Sequence, residues 1–181
     1  MGWAPIWCPS LLIELYRRKE LLYIYKKITS MKPLKEALVS KNKRDWASTT
    51  NGKYHLDKSD IATINEHTLY RIIADKSFGN IHKGDKGGYI ESVDNLSSEG
   101  NCWITDNAWV RDNAKVYENA YVYGDVDIYD NAEIYGNAKV YDDAEVHDDA
   151  KVYGWAEVFG NAEICEAAKV DYRVNRGKIR K

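Results

Sequence analysis

From Cys102 to Val170 the hydrophobic positions fall on a fixed six-residue period. Aliphatic side chains stand at Ile104, Val110, Val116, Val122, Ile128, Ile134, Val140, Val146, Val152, Val158, Ile164 and Val170. A small residue precedes each by two positions, Ala at most places, with Cys102 and Val126 as variants. Such a period predicts a parallel β-helix, in which each rung buries its inner face against the rungs above and below. Alternate side chains of an extended segment face opposite ways, so the small residue and the aliphatic point inward together. The next two positions, such as Asp112-Asn113, Asp130-Asn131 and Gly136-Asn137, hold residues that tolerate left-handed backbone and so turn a corner.

Three corners close a triangular coil of 18 residues, so the twelve hexads predict about four coils stacked at about 4.8 Å. The inner columns become Ile104–Val122–Val140–Val158, Val110–Ile128–Val146–Ile164 and Val116–Ile134–Val152–Val170. At about 1.5–3 kcal/mol for each buried aliphatic, these columns suffice to hold a rod without a second domain. The fold expected is an all-β solenoid over residues 90–170, preceded by a small α+β region over 31–89.

The flanks are less periodic. Residues 1–30 read as an N-terminal extension, with a helix from Ser10 to Lys27 carrying Leu11, Leu12, Leu15 and Leu22. The alternative is that Met31 is the natural start, since Met31-Lys32-Pro33-Leu34 opens a short helix in the ordinary way. Asn51-Gly52 marks a turn, and residues 67–74 alternate as a strand. The glycine-rich run 79–88 lacks the Lys-Ser/Thr pair of a phosphate loop and reads as a turn feeding the solenoid. The step from Leu96 to Ile104 is eight residues, which predicts a bulge over 97–101. Residues 171–181 lose the period and read as a basic cap or tail.

Charge is distributed unevenly. Residues 1–60 carry +6, 61–101 carry −2, 102–170 carry −10 and 171–181 carry +4. An acidic barrel repels a phosphate backbone, which excludes nucleic-acid binding along it. Three cysteines without a CxxC make neither a disulfide framework nor a zinc site, and they fit a reducing cytoplasm. The run of about 18 apolar residues that a membrane span needs is missing from the sequence, so no membrane partner is expected.

The hexads Ile134-Tyr-Gly-Asn-Ala-Lys139 and Val140-Tyr-Asp-Asp-Ala-Glu145 resemble the repeat of the hexapeptide-repeat left-handed β-helix family. The left hand is what the resemblance implies. Tyr123, Tyr129, Tyr135, Tyr141 and Tyr153 depart from it, standing where that family places a small residue. The segments Lys-Gly-Asp-Lys-Gly-Gly-Tyr-Ile-Glu-Ser (83–92) and Asn-Leu-Ser-Ser-Glu-Gly-Asn-Cys-Trp-Ile (95–104) resemble a narrower group. These are uncharacterised hexapeptide-repeat proteins of bacteria and their phages, and the likeness covers residues 68–170.

The wider fold hosts acyltransferases and a zinc carbonic anhydrase. An acyltransferase of this kind needs an extruded loop with a catalytic His, and the repeat here is uninterrupted with one His, His147, in the column of outward tyrosines. His55, His67 and His82 precede the barrel, away from a three-His zinc geometry. No catalytic or cofactor-binding residue and no cofactor is therefore expected. Asp112, Asp130, Asp148 and Glu166 recur at 18-residue intervals and stack at one corner, a weak candidate for a hard cation, with a solvated acidic row as the alternative.

Of the three faces, the one bearing Trp103, Tyr121, Tyr123, Tyr141 and Phe159 is the most aromatic and least charged. The expected function is a non-catalytic structural or binding scaffold that self-associates through this face, with a trimer favoured by analogy with the fold. The alternative is binding of a small planar or phosphorylated ligand, stacked on Trp103, Trp109 or Tyr121 with Arg71 or Lys86 at the phosphate. An acyltransferase-like enzyme is the third reading.

Overall fold

The computed structural model describes residues 50–181, so the helix expected at Ser10–Lys27 and the start at Met31 lie outside the described residues. The chain opens with β1 (Tyr54–Ile64), β2 (His67–Ala74) and β3 (Lys86–Ile90). Two-residue rungs follow: β4 (Trp103–Ile104), β5 (Trp109–Val110), β6 (Lys115–Val116), β7 (Tyr121–Val122), β8 (Asp127–Ile128) and β9 (Glu133–Ile134). They continue as β10 (Lys139–Val140), β11 (Glu145–Val146), β12 (Lys151–Val152) and β14 (Lys169–Val170), with two longer strands, β13 (Glu157–Ile164) and β15 (Arg173–Ile179), in the last coils. One 3-10 turn, Val93–Asn95, is the helical content of the described residues, so the part of the expected α+β region that is described is β-strand and turn. No helix of the described residues is long and apolar enough to cross a membrane.

Parallel pairing stacks the rungs in three columns. Ile104, Val122, Val140 and Val158 stand in register on one side. Ile90, Val110, Ile128, Val146 and Ile164 form the second column. Val116, Ile134, Val152 and Val170 form the third. All of these side chains are buried, with the alanines of the small column beside them. The solenoid has about five turns, where the strict period predicts four. Its first turn runs through Ile90, Leu96 and Ile104, with Leu96 bridged to Val116. Its last adds β15, whose Val174 pairs with Val158 and Ile179 with Ile164. Both ends break the six-residue spacing, which is why the period undercounts them. The tail expected as a cap or a loose end is in this way a further rung.

The corners recur with the same period. Every sixth residue from Gly100 to Glu166 has a left-handed backbone, with φ between 50° and 90°. Seven of these twelve are Asp or Glu, residues for which that region costs about 1–2 kcal/mol each. A side-chain hydrogen bond offsets the cost at most of them. The carboxylate of Asp106, Asp112, Glu118, Asp130, Asp142 and Asp148 accepts the backbone N–H of the corner residue one coil later, at 2.9–3.5 Å. Beside this row, Asn113 donates to Asn131 (3.2 Å) and Asn131 to Asp149 (3.1 Å), one coil apart. Gly100 admits no side chain, because a Cβ there would lie 2.1 Å from the Glu118 carbonyl oxygen.

The antiparallel β1–β2–β3 layer continues onto β5 and closes the first coil. Asn95 shapes that coil: its amide donates to Asp112 O (3.1 Å) and Ala114 O (2.9 Å) and accepts the Ser92 N–H (2.7 Å). Lys53 pins the layer down. Its ammonium, 1 % exposed, donates to Cys102 O (2.9 Å) and Ser97 O (3.3 Å) and lies 4.5 Å from the Phe78 ring centre. Burial holds this ammonium below the usual lysine range.

Replacing Ile134 by Ala in the middle of the third column is expected to cost about 2–5 kcal/mol in chemical denaturation. A loss below about 1 kcal/mol would show that this column is not a close-packed core.

Candidate functional site

Each solenoid face carries a stack of planar groups at the position after the aliphatic. Tyr123, Tyr141 and Phe159 stack at 4.8 and 4.9 Å with interplanar angles of 3° and 7°, and the Arg173 guanidinium lies 4.7 Å over the last ring. Tyr117, Tyr135 and Tyr153 stack at 4.9 and 5.4 Å. On the remaining face the Arg111 guanidinium lies 4.1 Å over Tyr129, and Tyr129 stacks on His147 at 4.8 Å. Parallel in-register rungs place identical positions about 4.8 Å apart, close to ring-stacking distance, so the ladder follows from the period.

The face assigned to self-association is altered at its first rung. Trp103 is buried, with Tyr54 and Phe78 edge-on to it at ring-centre distances of 6.3 and 5.4 Å. The outward direction at Trp103 follows from the alternation, but the start of β1 and the loop after β2 cover it. It offers nothing to a partner or a stacked ligand. Tyr121, Tyr123, Tyr141 and Phe159 are half-buried by their own stacking. The large apolar side chains left exposed on the solenoid are Trp155 (80 %) and Tyr172 (52 %). Trp155 takes the corner position that Asn119 and Asn137 occupy in earlier coils, and Tyr172 precedes Arg173, the partner of Glu157. Both border the aromatic face at its last coils. The sequence signal that would have found Trp155 is the break in the asparagine row.

The proposed phosphate contacts separate. Arg71 is drawn into the fold: it donates to Asp60 (3.2 Å), Gly87 O (2.8 Å), Asp106 O (2.8 Å) and the Tyr89 hydroxyl (2.6 Å). Its guanidinium also lies 4.0 Å over the Tyr89 ring, so it ties the hairpin layer to a corner rather than waiting for a ligand. Lys86 stays exposed, with a loose ion pair to Asp60 at 3.7 Å. Trp109 lines a cleft of about 470 Å³ together with Tyr89, Asn107, Asp125 and Asp127. Asp127 also pairs with Arg111 at 3.0 Å, and one atom of each, Asp127 Oδ1 and Arg111 Nε, is buried without a hydrogen-bond partner.

The acidic row at Asp112, Asp130, Asp148 and Glu166 stacks as the spacing predicts. Backbone N–H groups from the next coil solvate the first three carboxylates, and Arg111 adds an ion pair to Asp112 at 3.0 Å. A hard cation is therefore not needed to hold the row together. Two histidines stand beside it. His67 bridges Glu91 (3.1 Å) and Asp112 (3.7 Å), and His147 bridges Asp148 (3.2 Å) and Glu163 (3.0 Å). Donor atoms converge in three groups among the described residues: His67, Glu91 and Asp112; Asp130, His147 and Asp148; and His147, Glu163 and Cys165. Sequence reasoning missed Glu91, Glu163 and Lys53 as structural partners, because each acts on a residue 16 to 49 positions away.

No protein-family model matches the chain, and comparison with curated proteins finds no match.

Donation to the Glu91 carboxylate holds the His67 imidazolium above its ordinary value of 6.5, helped by the charges of Glu91 and Asp112 and opposed by desolvation and the charge of Arg111. A folded-state value raised above the unfolded one means stabilisation that is fully present below about pH 6.5 and lost as pH rises through the raised value. Melting temperature measured across that window should fall more in the wild type than in His67→Gln; parallel curves would show that the bridge contributes nothing.

Proposed function

We propose that the chain is a left-handed hexapeptide-repeat β-helix that serves as a non-catalytic binding scaffold in the cytoplasm and self-associates as a trimer. The observation that carries the association is the exposure of Trp155 and Tyr172 at the edge of the aromatic face. An indole at 80 % exposure leaves most of its apolar area in water, and such area marks contact surfaces when it adjoins further aromatics. The face that begins at this corner carries Tyr141 and Phe159, with Arg173 stacked on the latter. Aromatic rings together with Arg are the residues enriched where protein surfaces meet. The scaffold reading is supported by how the polar side chains are used. Arg71, Arg111, His67 and His147 each bond to groups within the fold, and the repeat carries no inserted loop to hold a reactive group.

A second reading, a small planar ligand, is favoured by the cleft at Trp109. Asp125 and Asp127 line it, so a ligand there would present a hydrogen-bond donor or a positive charge, not a phosphate. Native mass spectrometry of the purified protein distinguishes a bound small molecule from a bare chain.

Light scattering of the wild type is expected to give the mass of three chains, and Trp155→Glu with Tyr172→Glu is expected to give one. A monomeric wild type, or a double variant that still assembles, overturns the association.

A further inference from the structure

We propose that His147, Glu163 and Cys165 form a binding site for a zinc-class divalent cation, with a fourth coordination position left to water. The solenoid register brings them together. His147 follows Val146 in one coil, and Glu163 and Cys165 flank Ile164, the residue paired with Val146 in the next. One donor atom from each converges so that all lie within 4.8 Å of one another.

The imidazole is already oriented as a ligand. Its Nε2 faces Glu163 Oε1 at 3.0 Å, while Nδ1 lies 3.2 Å from Asp148 Oδ2. A cation at Nε2 would take the place of the Nε2–H bond to Glu163 and leave the remaining proton on Nδ1, beside the Asp148 carboxylate. Metal-bound histidines characteristically give their other N–H to a carboxylate in this way, which fixes both tautomer and ring direction. Asp148 is itself anchored by the Glu166 N–H at 2.9 Å. Stacking on Tyr129, with an interplanar angle of 3°, holds the ring plane.

The donor set selects the ion. Thiolate and imidazole suit zinc and are poor ligands for calcium or magnesium, which take oxygen. On coordination the Cys165 thiol gives its proton to solvent, as metal-bound cysteines do. Cys165 is a free thiol with Sγ 3.6 Å from Ile179 O, under the last rung. The place also holds a positive charge at present: the Lys178 ammonium bonds Glu163 and reaches Cys165. An incoming cation would displace it, so Lys178 acts as a competitor for the site.

The test is calorimetric titration of the full chain with Zn²⁺, with Co²⁺ as an absorbing substitute. One equivalent should bind, and Co²⁺ should give a thiolate-to-metal charge-transfer band that Cys165→Ser removes. His147→Phe, which keeps the ring stack, and Cys165→Ser should each weaken Zn²⁺ at least about tenfold. Lys178→Ala should bind more tightly than the wild type, and His67→Gln should bind unchanged. Absence of Zn²⁺ binding in both wild type and Lys178→Ala overturns the proposal. So does affinity retained in His147→Phe, or lost in His67→Gln. If Cys165→Ser does not fold, as judged by circular dichroism, His147→Phe and Lys178→Ala decide.

Discussion

The interaction on which the rest of this structure depends is the bond from a corner carboxylate to the backbone N–H one coil further on. A triangular coil must turn through left-handed backbone three times, and a glycine at every corner would loosen the chain. Aspartate and glutamate tolerate the conformation less well than glycine, yet they return a charge-assisted hydrogen bond across the coil boundary. The same bond keeps successive corners in register. Once the corners are in register, the aliphatic columns and the outward stacks fall into line.

This explains how a rod with so strongly acidic a surface holds together. Its carboxylates are arranged along corner rows, where like charges would repel, and backbone dipoles from the next coil offset much of that repulsion. Elsewhere the acids alternate with bases, as in Glu133 between Lys115 and Lys151, which bonds the latter at 2.8 Å. The aromatic stacks add a second continuous contact along each face. On the face of Tyr129 the stack is completed by Arg111 and His147 rather than by tyrosine, so that face carries charge and metal-ligating atoms where the others carry phenols.

How far the sequence could be read follows from these contacts. The six-residue spacing of the aliphatics determined columns, corners and stacked acids, because each is a local consequence of the period. The count of coils was readable only in part, since Leu96 and Val174 stand off the six-residue grid while their backbone pairing continues it. Alternation predicts Trp103 on the exposed face, yet it is buried, because alternation carries no information about what lies over a residue and Tyr54 is 49 residues away. Arg71 looked like a phosphate contact by residue type alone; its carbonyl partners at Gly87 and Asp106 belong to the tertiary fold. Lys53 gave no signal, because a lysine in a polar stretch is ordinarily solvated.

The corner bond also has a direction. In each of these pairs the carboxylate acceptor belongs to the earlier coil and the N–H donor to the later one, from Asp106 to Gly124 through Asp148 to Glu166. A chain leaving the ribosome therefore presents these acceptors before the donors that will use them. The backbone ladder runs the other way, the N–H of the earlier coil donating to the carbonyl of the later, as from Trp103 to Ala120, so each coil boundary is bonded in both senses.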